Sequence, residues 1–267
     1  MSASIPQFAA TDPDIYERFM GRWSAQMADP FLTFAGVQSG QRVLDVGCGT
    51  GTITLAMAQR GCNPIGVDAS EAYLAGARYR RSHPAIAYEY GDAQSLSYAT
   101  ASFDATVSLL AIDLIPEPEK AVAEMRRVTR RGGVVACGTF DFGGGFAAFQ
   151  TLLDIGAVFD DGFRAIRDYV VPRSLVRPNG QAQLWQRTGF IDVVEVPIVT
   201  SFDYESFDDY WTSQATGPTR PAQRLQAMPA EKRDEVRHHV KLAYLTGLPD
   251  GPRSYAAIVR AVRGIVP

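Results

Sequence analysis

Between residues 43 and 140 short apolar runs alternate with helix-like segments, and that rhythm leaves few folds open. VLDVG (43–47), PIGVD (64–68), IAYEYGD (86–92), FDATVSLL (103–110) and VVACGTF (134–140) have strand length and nearly continuous apolar character. Between them, residues 52–60 predict a short helix closed by Gly61, and Ser70 caps a second helix that Pro84 stops. Residues 119–131 set Val122, Met125 and Val128 on one face before Gly132-Gly133, with Arg126, Arg127, Arg130 and Arg131 at the carbonyl end of the dipole. Strand-helix repetition of this kind needs right-handed crossovers, so the expectation is an α/β chain built on a doubly wound, mostly parallel sheet. Both faces of such a sheet are covered, which is why its strands do not alternate apolar with polar.

Ligands of such sheets bind at the carboxyl ends of the strands. Three features gather there. VLDVGCGTG puts Gly47, Gly49 and Gly51 in G-x-G-x-G spacing behind Asp45, where a dinucleotide fingerprint would place its third glycine at the position held by Thr52. Asp68 closes the second strand, where a carboxylate can accept both hydroxyls of a ribose. Asp92, in the GDA of Gly91 to Ala93, can accept a hydrogen bond from an exocyclic amine. No lysine stands at the start of the following helix, so the turn lacks the phosphate cradle of a Walker motif.

Taken together, VLDVGCGTG, GVD, GDA and FDATVSLLAIDLIPEPEKAVAEMRRVTRRGG resemble the class I S-adenosylmethionine-dependent methyltransferases of the small-molecule type, closely over residues 40–140 and in outline beyond. The resemblance implies a Rossmann-like sheet of seven strands with the last one antiparallel between the fifth and sixth, supplied here by DVVEVPIV (192–199) and SYAAIVRAV (254–262). It also implies that S-adenosyl-L-methionine is bound through Gly47, Cys48, Gly49 and Gly51, with Asp45 supporting the turn and the ammonium and Leu109 lending a carbonyl. Asp68 would hold the ribose, and Ala69, Gly91, Asp92 and Ala93 would frame adenine. The fourth strand is followed by Asp113 where many members carry histidine, so a histidine mechanism does not transfer. Asp113 can take a proton from an acceptor, and it can equally cap the turn before Ile115-Pro116.

The amino-terminal signal Thr11-Asp12-Pro13 starts a helix with Ile15, Phe19, Trp23 and Met27 every four residues, and Asp29-Pro30 predicts a second short helix through Phe34. Tyr16 on the first of these can close over the cofactor, or simply pack. Phe207, Tyr210 and Trp211 share a helical face amid acidic residues, which suits a lid or an ordinary amphipathic helix, and FDFGGGF (140–146) can hinge. The expected organisation is one domain over 1–267, with a helical cap (1–39), a cofactor-binding core (40–140) and substrate-side insertions (141–180 and 203–252).

A net charge of −3 gives no electrostatic footprint for nucleic acid, and no apolar run reaches membrane-spanning length. Cys48, Cys62 and Cys137 lack metal or redox spacing and read as free core thiols of a cytoplasmic protein, and His83, His238 and His239 form no metal constellation with them. The expected activity is metal-independent methyl transfer to an O, N or C nucleophile of a small molecule, with a homodimer left open. The competing readings are a non-catalytic S-adenosylmethionine-binding protein and an NAD(P)-dependent oxidoreductase.

Overall fold

The computed structural model describes residues 12–267. Seven strands, β1 (Arg42–Val46), β2 (Asn63–Asp68), β3 (Ala87–Tyr90), β4 (Phe103–Leu109), β5 (Thr129–Phe140), β6 (Ile191–Tyr204) and β7 (Arg253–Ile265), form one sheet in the order β3-β2-β1-β4-β5-β7-β6. The first five are parallel, and β7 runs antiparallel to both β5 and β6, as the sequence implied. The chain winds outward from β1 to β3 and then returns to β4, so the switch point lies between β1 and β4, and a crevice opens at their carboxyl ends.

Helices cover both faces. Before the sheet come α1 (Pro13–Tyr16), a π-helical turn (Glu17–Gly21) and α2 (Arg22–Ala35). The crossovers carry α3 (Thr52–Gln59), α4 (Glu71–Arg80) and α5 (Pro118–Val128). After β5 follow α6 (Ala147–Phe159), α7 (Asp161–Val170) and α8 (Gly180–Arg187), and between β6 and β7 lie α9 (Phe207–Thr216), α10 (Arg220–Ala227) and α11 (Ala230–Leu245). One apolar layer joins α2, α3 and α6 to the sheet through Met27, Phe31, Met57 and Leu152. The other packs α5 and α8 against it through Val122, Met125, Leu184 and Trp185.

Several boundaries differ from the sequence expectation, each for a physical reason. Asp29-Pro30 starts no second helix, because α2 runs through Pro30 to its glycine cap at Gly36. Trp23, Met27, Phe31, Leu32 and Ala35 form one buried stripe across that point, and its burial outweighs the roughly 3 kcal/mol cost of an internal proline. α5 ends at Val128, so Arg130 and Arg131 belong to β5, where Gly132 (φ +73°) sits in a register shift against β4. β3 ends at Tyr90, leaving Asp92 in the turn beyond, and β6 extends to Tyr204, five residues past the expected end. The amino-terminal helix signal holds at Asp12, whose carboxylate accepts from the Asp14 amide at 2.7 Å, while Thr11 lies outside the described residues.

Candidate active site

A cavity of about 540 Å³ opens over the carboxyl ends of β1, β2 and β4 and continues past the end of β5. Its floor is the glycine turn. Gly47, Gly49 and Gly51 all take left-handed backbone (φ +72°, +54° and +87°), which side chains with a Cβ rarely adopt. At Gly47 a Cβ would also collide with that of Ala111, so the turn and the segment after β4 approach backbone to side chain.

Four amides of the turn are already committed inward. Those of Gly47 and Cys48 donate to the Val67 carbonyl (2.8 and 3.1 Å), that of Gly49 to Asp68 Oδ2 (2.8 Å), and that of Gly51 to the Cys48 carbonyl (2.9 Å). A pyrophosphate would need just such donors, and no lysine or arginine lies between residues 43 and 59. The turn therefore suits a cationic or neutral ligand end far better than a phosphate. Gly47 and Gly49 line the cavity, whereas Gly51 opens α3 beneath Tyr88, and the buried Cys48 side chain packs against Gly66. Asp45 is also beneath the turn: it is 1% exposed and accepts from Thr54 Oγ1 at 2.6 Å, and burial pushes its carboxyl up to about 7 against that hydrogen bond.

Asp68 holds the wall above. Its two oxygens accept from the Gly49 and Ser70 amides (2.8 and 2.9 Å), and burial raises its pKa although these backbone donors oppose the rise. Ala69 and Ser70 continue that wall, and Gly91, Asp92, Ala93 and Gln94 form the next. There Asp92 Oδ1 is tied to the Gln94 amide at 2.8 Å, so the carboxylate is oriented by its own turn. The cavity thus has a carboxylate on each of two neighbouring walls, Asp68 on one and Asp92 on the other.

The amino-terminal helices close one side. Tyr16 lines the cavity, packs on Tyr73 with ring centroids 5.0 Å apart, and stands over Gly49, and burial raises its hydroxyl pKa, with Tyr73 and Asp68 adding to the rise. Arg81 locks this cap down with a two-pronged grip on Glu17 (2.7 and 2.9 Å) while donating to the Thr50 carbonyl of the glycine turn at 2.9 Å. Fixed donors of that kind hold the Glu17 carboxyl below its ordinary value, even against its partial burial.

At the carboxyl end of β4 the backbone turns through Leu110, which takes left-handed φ (+61°) while its amide donates to the Gly138 carbonyl at 2.7 Å. Leu110 and Ala111 thereby line the cavity, and Leu109 is buried behind them. Asp113 follows in a short 3-10 turn; it is 4% exposed, lines the cavity, and burial raises its pKa while Arg173 opposes. Arg173, 3.9 Å from the Asp113 carboxylate, also donates to the Asp113 carbonyl. The far wall is aromatic and aliphatic: Phe140, Phe142, Phe146 and Phe149, with Ile166 and Val170 of α7.

Sequence reasoning did not foresee that wall, Arg173, or the Thr219–Pro221 stretch that rims it. The F-x-F-x-x-x-F-x-x-F spacing from 140 to 149 was the available sign. Phe207 and Tyr210 are core residues, fully buried against Tyr244, so of the two readings of that helix face, a lid or an ordinary amphipathic helix, the structure takes the packing one. Among the described residues no cluster of histidine, cysteine, aspartate or glutamate can hold a metal ion, and no helix is long and apolar enough to cross a membrane. All three cysteines are free and buried.

The family model described as a methyltransferase domain matches residues 44–137. The chain is 36% identical to a demethylmenaquinone methyltransferase of Renibacterium salmoninarum over 51% of its own length and 54% of that protein. It is 34% identical to a ubiquinone biosynthesis O-methyltransferase of Pseudomonas aeruginosa over 39% of its length and 46% of that protein. The chain thus spans about half the length of the curated relatives it matches. The fold is shared with phosphoethanolamine N-methyltransferase 2 of Haemonchus contortus in complex with S-adenosyl-L-methionine, at a TM-score of 0.57 and 20% identity over 96% of this chain and 56% of that one. The strand order, the glycine turn and the matched core make residues 44–137 a methyltransferase domain, similar to those of class I S-adenosylmethionine-dependent enzymes.

Proposed function

We propose that the protein transfers a methyl group from S-adenosyl-L-methionine to a small, predominantly apolar molecule. The observation that carries this reading is the single cavity with two unlike halves. The half over β1, β2 and β3 is lined by glycine backbone and carboxylates, and the half beyond β5 is lined by phenylalanines. β4 lies between β1 and β5 in the sheet, so the segment after it, with Asp113, stands at the junction.

The cofactor supplies an electrophilic methyl on a sulfonium that is already a good leaving group. What the chain adds is placement. Gly47 and Gly49 would admit the methionine end, Asp68 would hold the ribose hydroxyls, and Asp92 with Ala93 would hold adenine. Tyr16, Phe19 and Met20 of the amino-terminal cap line the cavity and would exclude water from the space between donor and acceptor. Holding both reactants in line contributes on the order of 7 to 11 kcal/mol in favourable cases, so no elaborate catalytic apparatus is required. Asp113 is the group that would take a proton from the acceptor. Two matched relatives are named for demethylmenaquinone and for ubiquinone biosynthesis, and methylation of a small molecule accords with those names. The free, buried thiols agree with a cytoplasmic setting.

The test is incubation with methyl-labelled S-adenosyl-L-methionine and a fractionated metabolite extract. Label should pass to an organic-phase component whose mass rises by one methyl group. Saturable cofactor binding with no transfer to any fraction would reduce the protein to a binding module.

A further inference from the structure

We infer that the acceptor is an aromatic hydroxyl compound, its ring seated against the phenylalanine wall and its hydroxyl at Asp113; this rests on the methyl-transfer reading above.

The wall is ordered as an aromatic surface. Phe140 and Phe146 stack with centroids 4.2 Å apart and planes 18° apart, and Phe146 and Phe149 lie 5.5 Å apart at 12°. Phe142 crosses that stack, 65° from Phe149 and 70° from Phe140. It is held in place from behind. The Asp141 carboxylate accepts from the Gly143 amide (2.9 Å) and from Arg260 (2.7 and 3.0 Å), the Asp141 carbonyl accepts from Gly145 (2.9 Å), and Gln150 Nε2 donates to the Phe142 carbonyl (2.9 Å). A fixed set of rings at crossed angles rewards a flat ring, which meets some face-on and others edge-on, more than a flexible chain that buries equal area and loses rotamer freedom.

Asp113 supplies the polar end. It is a buried carboxylate in a largely apolar chamber, and Arg173 anchors it through its own carbonyl. A hydroxyl donating to that carboxylate satisfies both groups, whereas an acceptor without a donor leaves the carboxylate desolvated. In the transfer, the hydroxyl oxygen forms the new O–CH3 bond, its proton goes to Asp113, and the pair of the broken C–S bond stays on sulfur and cancels its charge.

The full chain is first titrated with S-adenosylhomocysteine by calorimetry, and absence of binding there overturns the methyl-transfer reading itself. In the presence of saturating S-adenosylhomocysteine, 2-naphthol, 1-decanol and naphthalene are then compared. 2-Naphthol should bind about tenfold or more tightly than 1-decanol, which has the same number of carbons. Phe142→Leu, a partly exposed position that keeps an apolar side chain, should shrink that gap while S-adenosylhomocysteine affinity stays put. 2-Naphthol should also bind several-fold more tightly than naphthalene, and Asp113→Ala should abolish that preference. 1-Decanol binding as well as 2-naphthol overturns the aromatic assignment; naphthalene binding as well as 2-naphthol overturns the place of the hydroxyl.

Discussion

Asp68 shows how much a single side chain can organise. Each of its oxygens accepts one backbone amide, from Gly49 and from Ser70, so the carboxylate fastens the glycine turn to the end of β2 and still keeps a lone pair on each oxygen for a ligand. Asp68→Ala removes the ribose acceptors, and S-adenosyl-L-methionine should bind at least tenfold more weakly by calorimetry, about 1.4 kcal/mol. An unchanged dissociation constant would place the ribose elsewhere. Asp68 was legible because a carboxylate closing an apolar strand beside a glycine turn can only face the crevice. Leu110 was not, since nothing about leucine announces positive φ; its conformation follows from the bond between its amide and Gly138. Nor was the Asp113–Arg173 contact, which joins residues sixty positions apart and depends on how the stretch after α7 folds back over β4.

The elements of the core could be read from their periods, and the amino-terminal cap shows where such reading stops. Its apolar residues recur every four positions, and on a regular α-helix that spacing drifts by about 40° per step. The π-helical turn at Glu17–Gly21 widens the helix at that point and returns Trp23 and Met27 to the buried face. Gly21 permits it, because the Glu17 carboxylate occupies the space a Cβ would need. Arg81, at the end of α4, then grips both Glu17 and the glycine turn, so the cap is fastened to the site it covers. Arg81→Met should cost about 2 kcal/mol of local stability. Amides 14–22 should exchange severalfold faster with deuterium while β1 and β4 keep their protection, and S-adenosylhomocysteine affinity should fall. Equal protection of the cap in the variant would show that apolar packing alone holds it.

The whole molecule carries the cost of its site in its acid-base balance. Asp45, Asp68 and Asp113, which support or line one cavity, are all raised by burial, Asp45 to about 7. A carboxyl raised in the folded state binds its proton more tightly there than in the unfolded chain, so its contribution is complete below about pH 4 and is lost as pH climbs through its folded pKa, near 7 for Asp45, at up to about 1.4 kcal/mol per pH unit for each such group. Asp160 has the opposite sign. Its pairing with Arg224 of α10, while it caps α7, lowers it to about 2, so that contribution is complete above pH 4 and lost as pH falls toward 2. Between about pH 5 and 7 the raised carboxyls lose their contribution while that of Asp160 stays constant, which ties a deficit at neutral pH to the cavity. Calorimetric scans should therefore give a melting temperature several degrees higher at pH 5 than at pH 7.5. Asp45→Asn keeps an acceptor for the Thr54 hydroxyl but cannot ionise, and should flatten much of that slope. A variant with the slope of the parent would mean that Asp45 titrates in the folded protein as it does in the unfolded chain.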